Sequence, residues 1–334
     1  MTKAFRWSAY AAGTLTAAAL LGGLAIALAW RDRPSLADLN WQPTSAEQPS
    51  EAQVTATWFG ISTLLFDDGE TQILIDGTFT RVSAADLLLQ RKIRSDIGNI
   101  NFILDEYRVE RLAAIVPVHA HFDHAIDVGN VANRSAALVL GSESIANIAR
   151  GAQVPVDQYQ ILADRESRHF GSFTVTTIAS NHVPTRFGGD GWSAGQITEP
   201  LMQPARPSAW RRGSAVTVIV AHPLGTTIVQ GSAGFREGQL EAFAADTVFL
   251  GVAGLASQGQ EFAERYWHEL VTTSGAKRVI ALHFDDFTQP LGSTRLFPEI
   301  VDAVPDSAAW LNELAGASNR TIERPEFGIP IPLY

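Results

Sequence analysis

A short histidine-rich segment constrains this chain more than any other feature. His119-Ala-His121-Phe-Asp123-His124 directly follows an apolar run, residues 112–118, that is typical of a buried β-strand. Imidazoles and a carboxylate packed this closely are costly to desolvate unless a cation lies between them. Because alternate residues of a strand end project to the same side, His119 and His121 face one position, while Asp123 and His124 turn toward a second. Nitrogen and oxygen donors at this density suit zinc-type ions, so the segment predicts a site for one or two metals.

The pattern His-x-His-x-Asp-His after a hydrophobic strand resembles the first metal motif of the metallo-β-lactamase superfamily, whose other ligands arrive singly along the chain. His182 follows a β-branched run at residues 172–179, and His283 follows a late apolar run at residues 278–282, so both positions fit that family. The resemblance covers roughly residues 54 to 325. It implies the α/β class, with the four-layer αββα sandwich of this superfamily. It also implies one ion on His119, His121 and His182, and a second on Asp123, His124 and His283.

One position departs from the family pattern. Relatives commonly carry an aspartate that bridges both metals, but here the strand at residues 225–230 leads into Gly231-Ser232-Ala233-Gly234. A neutral hydroxyl is a much poorer ligand for a divalent ion than a carboxylate, so Ser232 weakens the case for the second ion. Two outcomes stay open: a two-metal centre, which we favour because Asp123, His124 and His283 are all retained, or a mononuclear one.

The resemblance implies a zinc-dependent hydrolase that uses a metal-bound hydroxide on an ester, lactone or phosphodiester. Mn²⁺ and Fe²⁺ are alternatives to Zn²⁺. Asp123 is the expected catalytic residue; if the second ion is absent, it orients the attacking water or carries its proton. The substrate is expected to be a small or lipid-like molecule. One alternative is a membrane-anchored phosphodiesterase similar to phospholipase D enzymes, and another is a catalytically impaired metal-binding module marked by Ser232.

Other residues are expected to support the site or contact the substrate. Asp76 ends a predicted strand at residues 72–75 and is expected to support the metal loop, as in the superfamily. Asp285 follows His283 and is a candidate for orienting a ligand. His222 lies in a predicted hairpin and is either a turn residue or a cleft residue. Trp192 belongs to residues 186–212, an irregular stretch that either covers the metals as a lid or packs on the surface.

Charge and cysteine content exclude several classes of protein. The net charge is −10, which argues against a nucleic-acid partner because phosphate contacts require basic side chains. The chain contains no cysteine, so disulfides, a thiol nucleophile and cysteine-ligated metal are excluded.

The first 33 residues form a separate unit. Lys3 and Arg6 precede an uncharged, apolar run at residues 7–30, which is long enough to span a bilayer as a helix. The alternative is a cleaved signal peptide, since Ala27-Leu-Ala29 is similar to a cleavage site. We favour a retained transmembrane helix that makes the protein single-pass in the cell inner membrane, with its catalytic domain in the periplasm. Residues 34–53, rich in Pro, Ser and Gln, predict an exposed linker, and residues 54–334 the catalytic domain.

Overall fold

A computed structural model describes residues 22–23, 27–44, 53–184 and 193–334. Most of the predicted transmembrane segment, residues 7–30, lies outside the described residues, and so does Trp192. Within the described ranges, no helix combines the length and the apolar character that crossing a membrane requires.

Fifteen strands are assigned in the described residues. They are β1 (Gln42–Pro43), β2 (Thr55–Trp58), β3 (Leu64–Asp67), β4 (Gln72–Ile75), β5 (Leu112–Val116), β6 (Leu138–Gly141), β7 (Tyr159–Ile161), β8 (Glu166–Phe170), β9 (Phe173–Ser180), β10 (Ala215–His222), β11 (Gly225–Gln230), β12 (Thr247–Gly251), β13 (Arg278–Leu282), β14 (Ile322–Arg324) and β15 (Pro330–Pro332).

The strands form two mixed sheets. The first has the order β15-β2-β3-β4-β5-β6-β7, and the second has the order β1-β14-β13-β12-β11-β10-β9-β8. In each sheet an antiparallel part, β15 to β4 or β8 to β11, continues into a parallel part. Parallel pairing requires crossover connections, which place helices on the outer faces of both sheets.

The α-helices in the described residues are α1 (Ala84–Leu88), α2 (Ile97–Glu106), α3 (Phe122–Ala125), α4 (Val128–Ser135), α5 (Glu143–Gly151), α6 (Gln260–Trp267) and α7 (Val304–Ala317). Short 3₁₀ segments occupy Leu36–Leu39, Val156–Gln158, Pro207–Ala209 and Leu255–Gln258, and a π-helical turn, His268–Thr272, extends α6. Two helices, α3 and α4, follow the metal-binding motif. The α6 helix and its π-helical turn end before Gly275, whose φ of 69° suits glycine.

Two apolar clusters define the layers. One places the outer face of the first sheet, including Leu74 and Ile115, against α2, α4 and α5. The other joins the inner faces of both sheets, where the rings of Phe66 and Phe249 meet edge to face at 6.2 Å, and continues to Tyr266 of α6 and Leu311 of α7. The predicted two-sheet α/β sandwich, with helices on both sides, is confirmed.

Residues 33–44 differ from the exposed linker that the sequence predicts. Leu39 and Trp41 are buried, and β1 pairs in parallel with β14 at the edge of the second sheet. The indole of Trp41 packs edge-on against Phe284 at 5.8 Å. Polar composition favoured a linker, but two large apolar side chains and a free sheet edge supply enough burial to fix this segment.

The strand ends that carry the site all lie at one edge of the sandwich. In the second sheet, Ala215 pairs with Ser180, and Val218 pairs with Val229, so β9 and β11 end where β10 begins. The two sheets are joined there because the amide of Val216 donates to the carbonyl of Val118 at 2.9 Å. Residues that follow β4, β5, β9, β11 and β13 are thereby brought together.

Candidate metal centre

His119, His121 and His182 form the first group of candidate ligands. His119 and His121 follow β5, His182 follows β9, and one ligand atom from each lies within 4.8 Å of the others. The Nε2 atom of His119 faces the Nδ1 atom of His121 at 3.0 Å. The ring of His182 lies 4.8 Å from that of His119 and 4.9 Å from that of His121, between centroids.

Asp123, His124 and His283 form a second group. Asp123 and His124 lie in α3, and His283 follows β13, with one ligand atom of each again within 4.8 Å of the others. The Oδ2 atom of Asp123 lies 3.5 Å from Nε2 of His124 and 3.4 Å from Nε2 of His283. The groups are neighbours, because the ring centroids of His119 and His124 are 4.0 Å apart.

The separations between these donor atoms fit a shared divalent ion. Two donors that each lie 2.0–2.1 Å from a tetrahedral zinc ion are separated by roughly 3.3 Å. The contacts described above, from 3.0 Å between His119 and His121 to 3.5 Å between Asp123 and His124, bracket that value. Three imidazole nitrogens in one group, and two imidazoles with a carboxylate in the other, are donor sets that zinc, iron and manganese accept.

Hydrogen bonds to the other ring nitrogens fix which atom is left to bind. Nδ1 of His182 lies 2.7 Å from the carbonyl oxygen of Val183; donation there leaves the lone pair on Nε2. In the same way Nδ1 of His124 lies 2.8 Å from Oδ2 of Asp76, which leaves Nε2 facing Asp123. A neutral imidazole with one nitrogen committed to donation presents the other as a ligand.

Asp76 makes the polar contacts that support His124. Its buried carboxylate accepts hydrogen bonds from the hydroxyl of Ser62 at 2.6 Å and from the amide of Val118 at 2.8 Å, besides the contact with His124. Asp76 has a φ of 57°, a left-handed conformation that aspartate adopts more readily than most residues. The structure thus brings Asp76 to the position that the sequence predicted, at the end of β4. Ser62 was not singled out from the sequence, because a serine in a β-turn carries no distinguishing pattern.

The electrostatic environment favours neutral histidines in the first group. Burial, followed by repulsion from neighbouring imidazoles, lowers the pKa of His119 well below its usual value. Burial also lowers the pKa of His121 to about 4 and that of His182 to about 3. Burial by itself raises the pKa of Asp123, but the charges of His124 and His283 outweigh it and lower that pKa. For His124, burial lowers the pKa, and the carboxylates of Asp76 and Asp123 outweigh it, so the pKa is raised.

Ser232 lies beside His182. Its hydroxyl oxygen accepts a hydrogen bond from the amide of Val183 at 3.0 Å, and its carbonyl accepts from the side chain of Gln230 at 2.8 Å. The neighbouring Gly234 is required by close packing, because a Cβ atom there would lie 2.2 Å from the carbonyl oxygen of Asn181. The loop after β11 is therefore fitted tightly around the first group.

Two hydrogen bonds through Ile61 hold His283 at the end of β13. Its amide donates to the carbonyl of Ile61 at 2.9 Å, and the amide of Ile61 donates to the carboxylate of Asp285 at 2.8 Å. Ile61 and His283 both have positive φ, 54° and 55°. A β-branched residue in this region is strained, and the strain persists only where surrounding contacts enforce it. Asp285 was expected to orient a ligand. Its carboxylate contacts Ile61, and the carbonyl of Ile61 accepts the hydrogen bond from the amide of His283.

One further predicted residue, His222, is not brought into this cluster. His222 ends β10 at the opposite edge of the sheet, where it pairs with Gly225, packs against Phe173 and lies 3.7 Å from Asp68. It is a turn residue, as one of its two readings expected, because β10 runs away from the site. Trp192 lies outside the described residues, so its proposed lid contact has no structural description.

Comparisons with solved structures identify the class of fold. The chain is similar to a possible metal-dependent hydrolase from Veillonella parvula, with 16% identity, a TM-score of 0.51, and coverage of 84% of this chain and 100% of that one. It is also similar to an isothiocyanate hydrolase from Delia radicum gut bacteria, with 15% identity, a TM-score of 0.50, and coverage of 84% and 99%. CmlA, a diiron β-hydroxylase from Streptomyces venezuelae, gives 12% identity and a TM-score of 0.52 over 86% of this chain and 55% of that one.

The fold is that of the metallo-β-lactamase superfamily, as the histidine motif implied. No protein-family model matches the chain. No curated protein matches it in sequence either. Identities of 12–16% show a shared fold alone.

Proposed function

We propose that this chain is a metal-dependent hydrolase that acts on an ester, a lactone or a phosphodiester. The observation that carries the proposal is the convergence of six ligand side chains, drawn from three distant parts of the chain, into two adjacent groups with donor separations suited to divalent ions. Packing this many titratable groups into a largely buried edge is unfavourable without a cation to neutralise and bind them.

Zinc is the proposed ion, with Mn²⁺ and Fe²⁺ as alternatives. His119, His121 and His182 would hold one ion, and Asp123, His124 and His283 the other. Such ions supply a Lewis acid that polarises the scissile carbonyl or phosphoryl group and makes water acidic enough to attack near neutral pH. The similarity to a protein named as a diiron enzyme is a reason to measure the metal.

The chain's own residues prepare the site for this chemistry. Asp76 lies at Nδ1 of His124 and the Val183 carbonyl at Nδ1 of His182, so in each ring Nε2 is the nitrogen that faces the site. Asp123 remains ionised, and its side chain is 13% exposed, so its carboxylate can accept a hydrogen bond from an attacking water and orient it.

The test combines metal analysis with a substrate panel. The purified full chain is dialysed, its metals are counted, and it is assayed with added Zn²⁺ or Mn²⁺ on nitrophenyl esters, bis-nitrophenyl phosphate, lactones and nitrocefin. We expect His121→Ala and His182→Ala to lose both the ion and the turnover. His222→Ala is the matched control, because this histidine lies at the other end of the sheet, and it should keep both. Turnover that survives in the first two variants would refute the proposal.

A metal-binding module without catalysis is the second candidate. Ser232 favours it, because its hydroxyl oxygen already accepts the Val183 amide and supplies no negative charge to a second ion. Firm metal binding without turnover of any substrate in the panel would decide for this candidate.

We also propose that residues 7–30 attach the chain to the inner membrane, with the domain in the periplasm. The support is the uncharged length of that segment and the positive residues before it. A lipid-like phosphodiester, processed in the manner of a phospholipase D, is then a substrate to include in the panel. Recovery of the intact amino terminus in the membrane fraction tests the attachment, and a mature chain that begins near Trp30 would refute it.

A further inference from the structure

The residues that follow the apolar segment are fastened to the loop that follows His283. Residues 27–31 are helical, and two residues later the guanidinium of Arg33 pairs with the carboxylate of Asp286 at 2.9 Å. The Arg33 side chain is only 12% exposed, and that of Asp286 is fully buried, so solvent screens this ion pair weakly. Arg33 also donates to the carbonyls of Trp30 and Leu296.

Asp286 organises the same loop from its other side. Its carboxylate accepts hydrogen bonds from the amide and hydroxyl of Thr288 at 3.0 and 2.6 Å and from the side chain of Gln289 at 2.9 Å. The next residue, Phe287, packs edge-on against the ring of His283 at 5.9 Å. Arg33, just after the apolar segment, is therefore bound to the loop that packs against His283, a candidate metal ligand.

Residues 36–44 make this attachment rigid. The carbonyl of Leu39 accepts a hydrogen bond from Asn312 of α7 at 2.9 Å, and the amide of Thr44 donates to the carbonyl of Arg324 at 2.9 Å. With Trp41 buried against Phe284, the segment cannot act as a flexible tether. These contacts fix residues 33–44 against the domain, and the Arg33 side chain also donates to the carbonyl of Trp30 in the preceding helical segment.

An exposed apolar pair lies close to the same loop. Ile300 is 65% exposed and Val301 is 48% exposed, and they follow Leu296 by only a few residues. Val301 also lines a cavity of about 440 Å³ that reaches His182. Large exposed apolar side chains at the mouth of a cavity are typical of surfaces that contact a partner or a membrane.

Chain lengths bound the distance between the apolar segment and the candidate metal centre. Arg33 lies two positions after Arg31, and Asp286 lies three positions after His283. Fully extended, these spans reach at most about 7 Å and about 11 Å. With the extended Arg33 and Asp286 side chains, of about 7 Å and about 4 Å, and the 2.9 Å ion pair between them, His283 lies within roughly 32 Å of the end of the helical segment.

From this juxtaposition we infer that the domain lies on the bilayer with its metal edge facing the lipid surface, that Ile300 and Val301 contact the bilayer, and that the cavity beside His182 opens toward it. The inference rests on the proposed membrane attachment. The proposed partner is an uncharged or zwitterionic lipid surface, because Glu299, Asp302 and Asp306 line the cavity and repel anionic headgroups. Substrates that partition into the bilayer then reach the site without crossing water.

A single-cysteine label tests this orientation in the full chain. The sequence has no cysteine, so Val301→Cys and Leu224→Cys each give one labelling position. The two side chains are matched in exposure, at 48%, and Leu224 lies in the β10–β11 turn at the opposite edge of the sheet. Each variant carries an environment-sensitive fluorophore and is reconstituted in phosphatidylcholine vesicles with or without nitroxide-labelled lipid. Flotation of the vesicles is measured in parallel.

We expect the label at position 301 to shift its emission to the blue and to be quenched several-fold more by nitroxide lipid than the label at position 224. Arg33→Gln, which removes the ion pair, should reduce that quenching while flotation persists. Anionic lipid should reduce it as well.

Flotation with equal quenching at both positions would overturn the orientation and leave the membrane attachment standing. Absence of flotation would overturn the attachment and the inference with it. Neither readout depends on turnover, so failure of the proposed hydrolase activity is scored separately by the substrate panel.

Discussion

Replacing Asp76 by Asn tests whether the site is built as the geometry indicates. The change preserves the size of the side chain, and Asn tolerates the φ of 57° at this position, so backbone strain is not introduced. The amide keeps one acceptor oxygen for the three donors that now converge on the carboxylate: Ser62, Val118 and His124. Its NH₂ group faces one of them as a second donor, which disfavours the tautomer of His124 that presents Nε2.

Two magnitudes follow for Asp76→Asn. Loss of one or two hydrogen bonds to a buried carboxylate, at about 1.5–3 kcal/mol each, predicts a destabilisation of about 1.5–6 kcal/mol. Loss of a hydrogen bond that orients a ligand predicts a 10–100-fold weaker hold on the ion at Asp123, His124 and His283, or about 1.4–2.8 kcal/mol. The ion at the other three histidines should be affected less, because Asp76 does not contact them.

Chelator-competition titration with Zn²⁺ or Co²⁺ measures the affinities, and denaturant unfolding measures the stability. Asp105→Asn is the matched control, because that carboxylate is 67% exposed in a surface pair with Arg134 and should change neither quantity by more than about 0.5 kcal/mol. Wild-type affinity for both ions in Asp76→Asn would refute the role of Asp76 in holding His124.

Three further predictions address the same centre. Gly234→Ala should displace the His182 segment, because the new Cβ would lie 2.2 Å from the carbonyl oxygen of Asn181. Elemental analysis should then show loss of metal from the first group, and full retention of that metal would contradict the prediction. As pH falls, the ion on the second group should leave first. His124 has a raised pKa and must lose its proton to bind, whereas His182, with a pKa of about 3, stays neutral to far lower pH. Stepwise dialysis with metal analysis checks this order, and simultaneous loss of both ions contradicts it. Ser232→Asp should hold the second ion several-fold more tightly in a competition assay, and an unchanged affinity would show that position 232 does not reach it.

The sequence by itself determined the donor types and the edge at which they meet. His119, His121, Asp123 and His124 are local to one strand end, so their spacing predicts convergence without a fold. His182 and His283 were found because each follows an apolar strand, and strands of adjacent sheets that end at the same edge bring such residues together. The same periodic patterns predicted the sandwich, since alternation and apolar runs report which faces of a strand are buried.

Only the tertiary structure decided which contacts hold those ligands. Ser62 meets Asp76 and His124 because β2, β3 and β4 pair in one register, and no local pattern marks that serine. The sequence left His222 as either a turn residue or a cleft residue, and the antiparallel direction of β10 places it in the turn at the far edge.

The segment at residues 33–44 illustrates the same limit. Its prolines and polar residues predicted a linker, whereas β1 pairs with β14, and the ion pair between Arg33 and Asp286 joins residues 253 positions apart. Composition reports the propensity of a segment alone, and a contact of that sequence separation depends on the surface that the remainder of the chain presents when it folds.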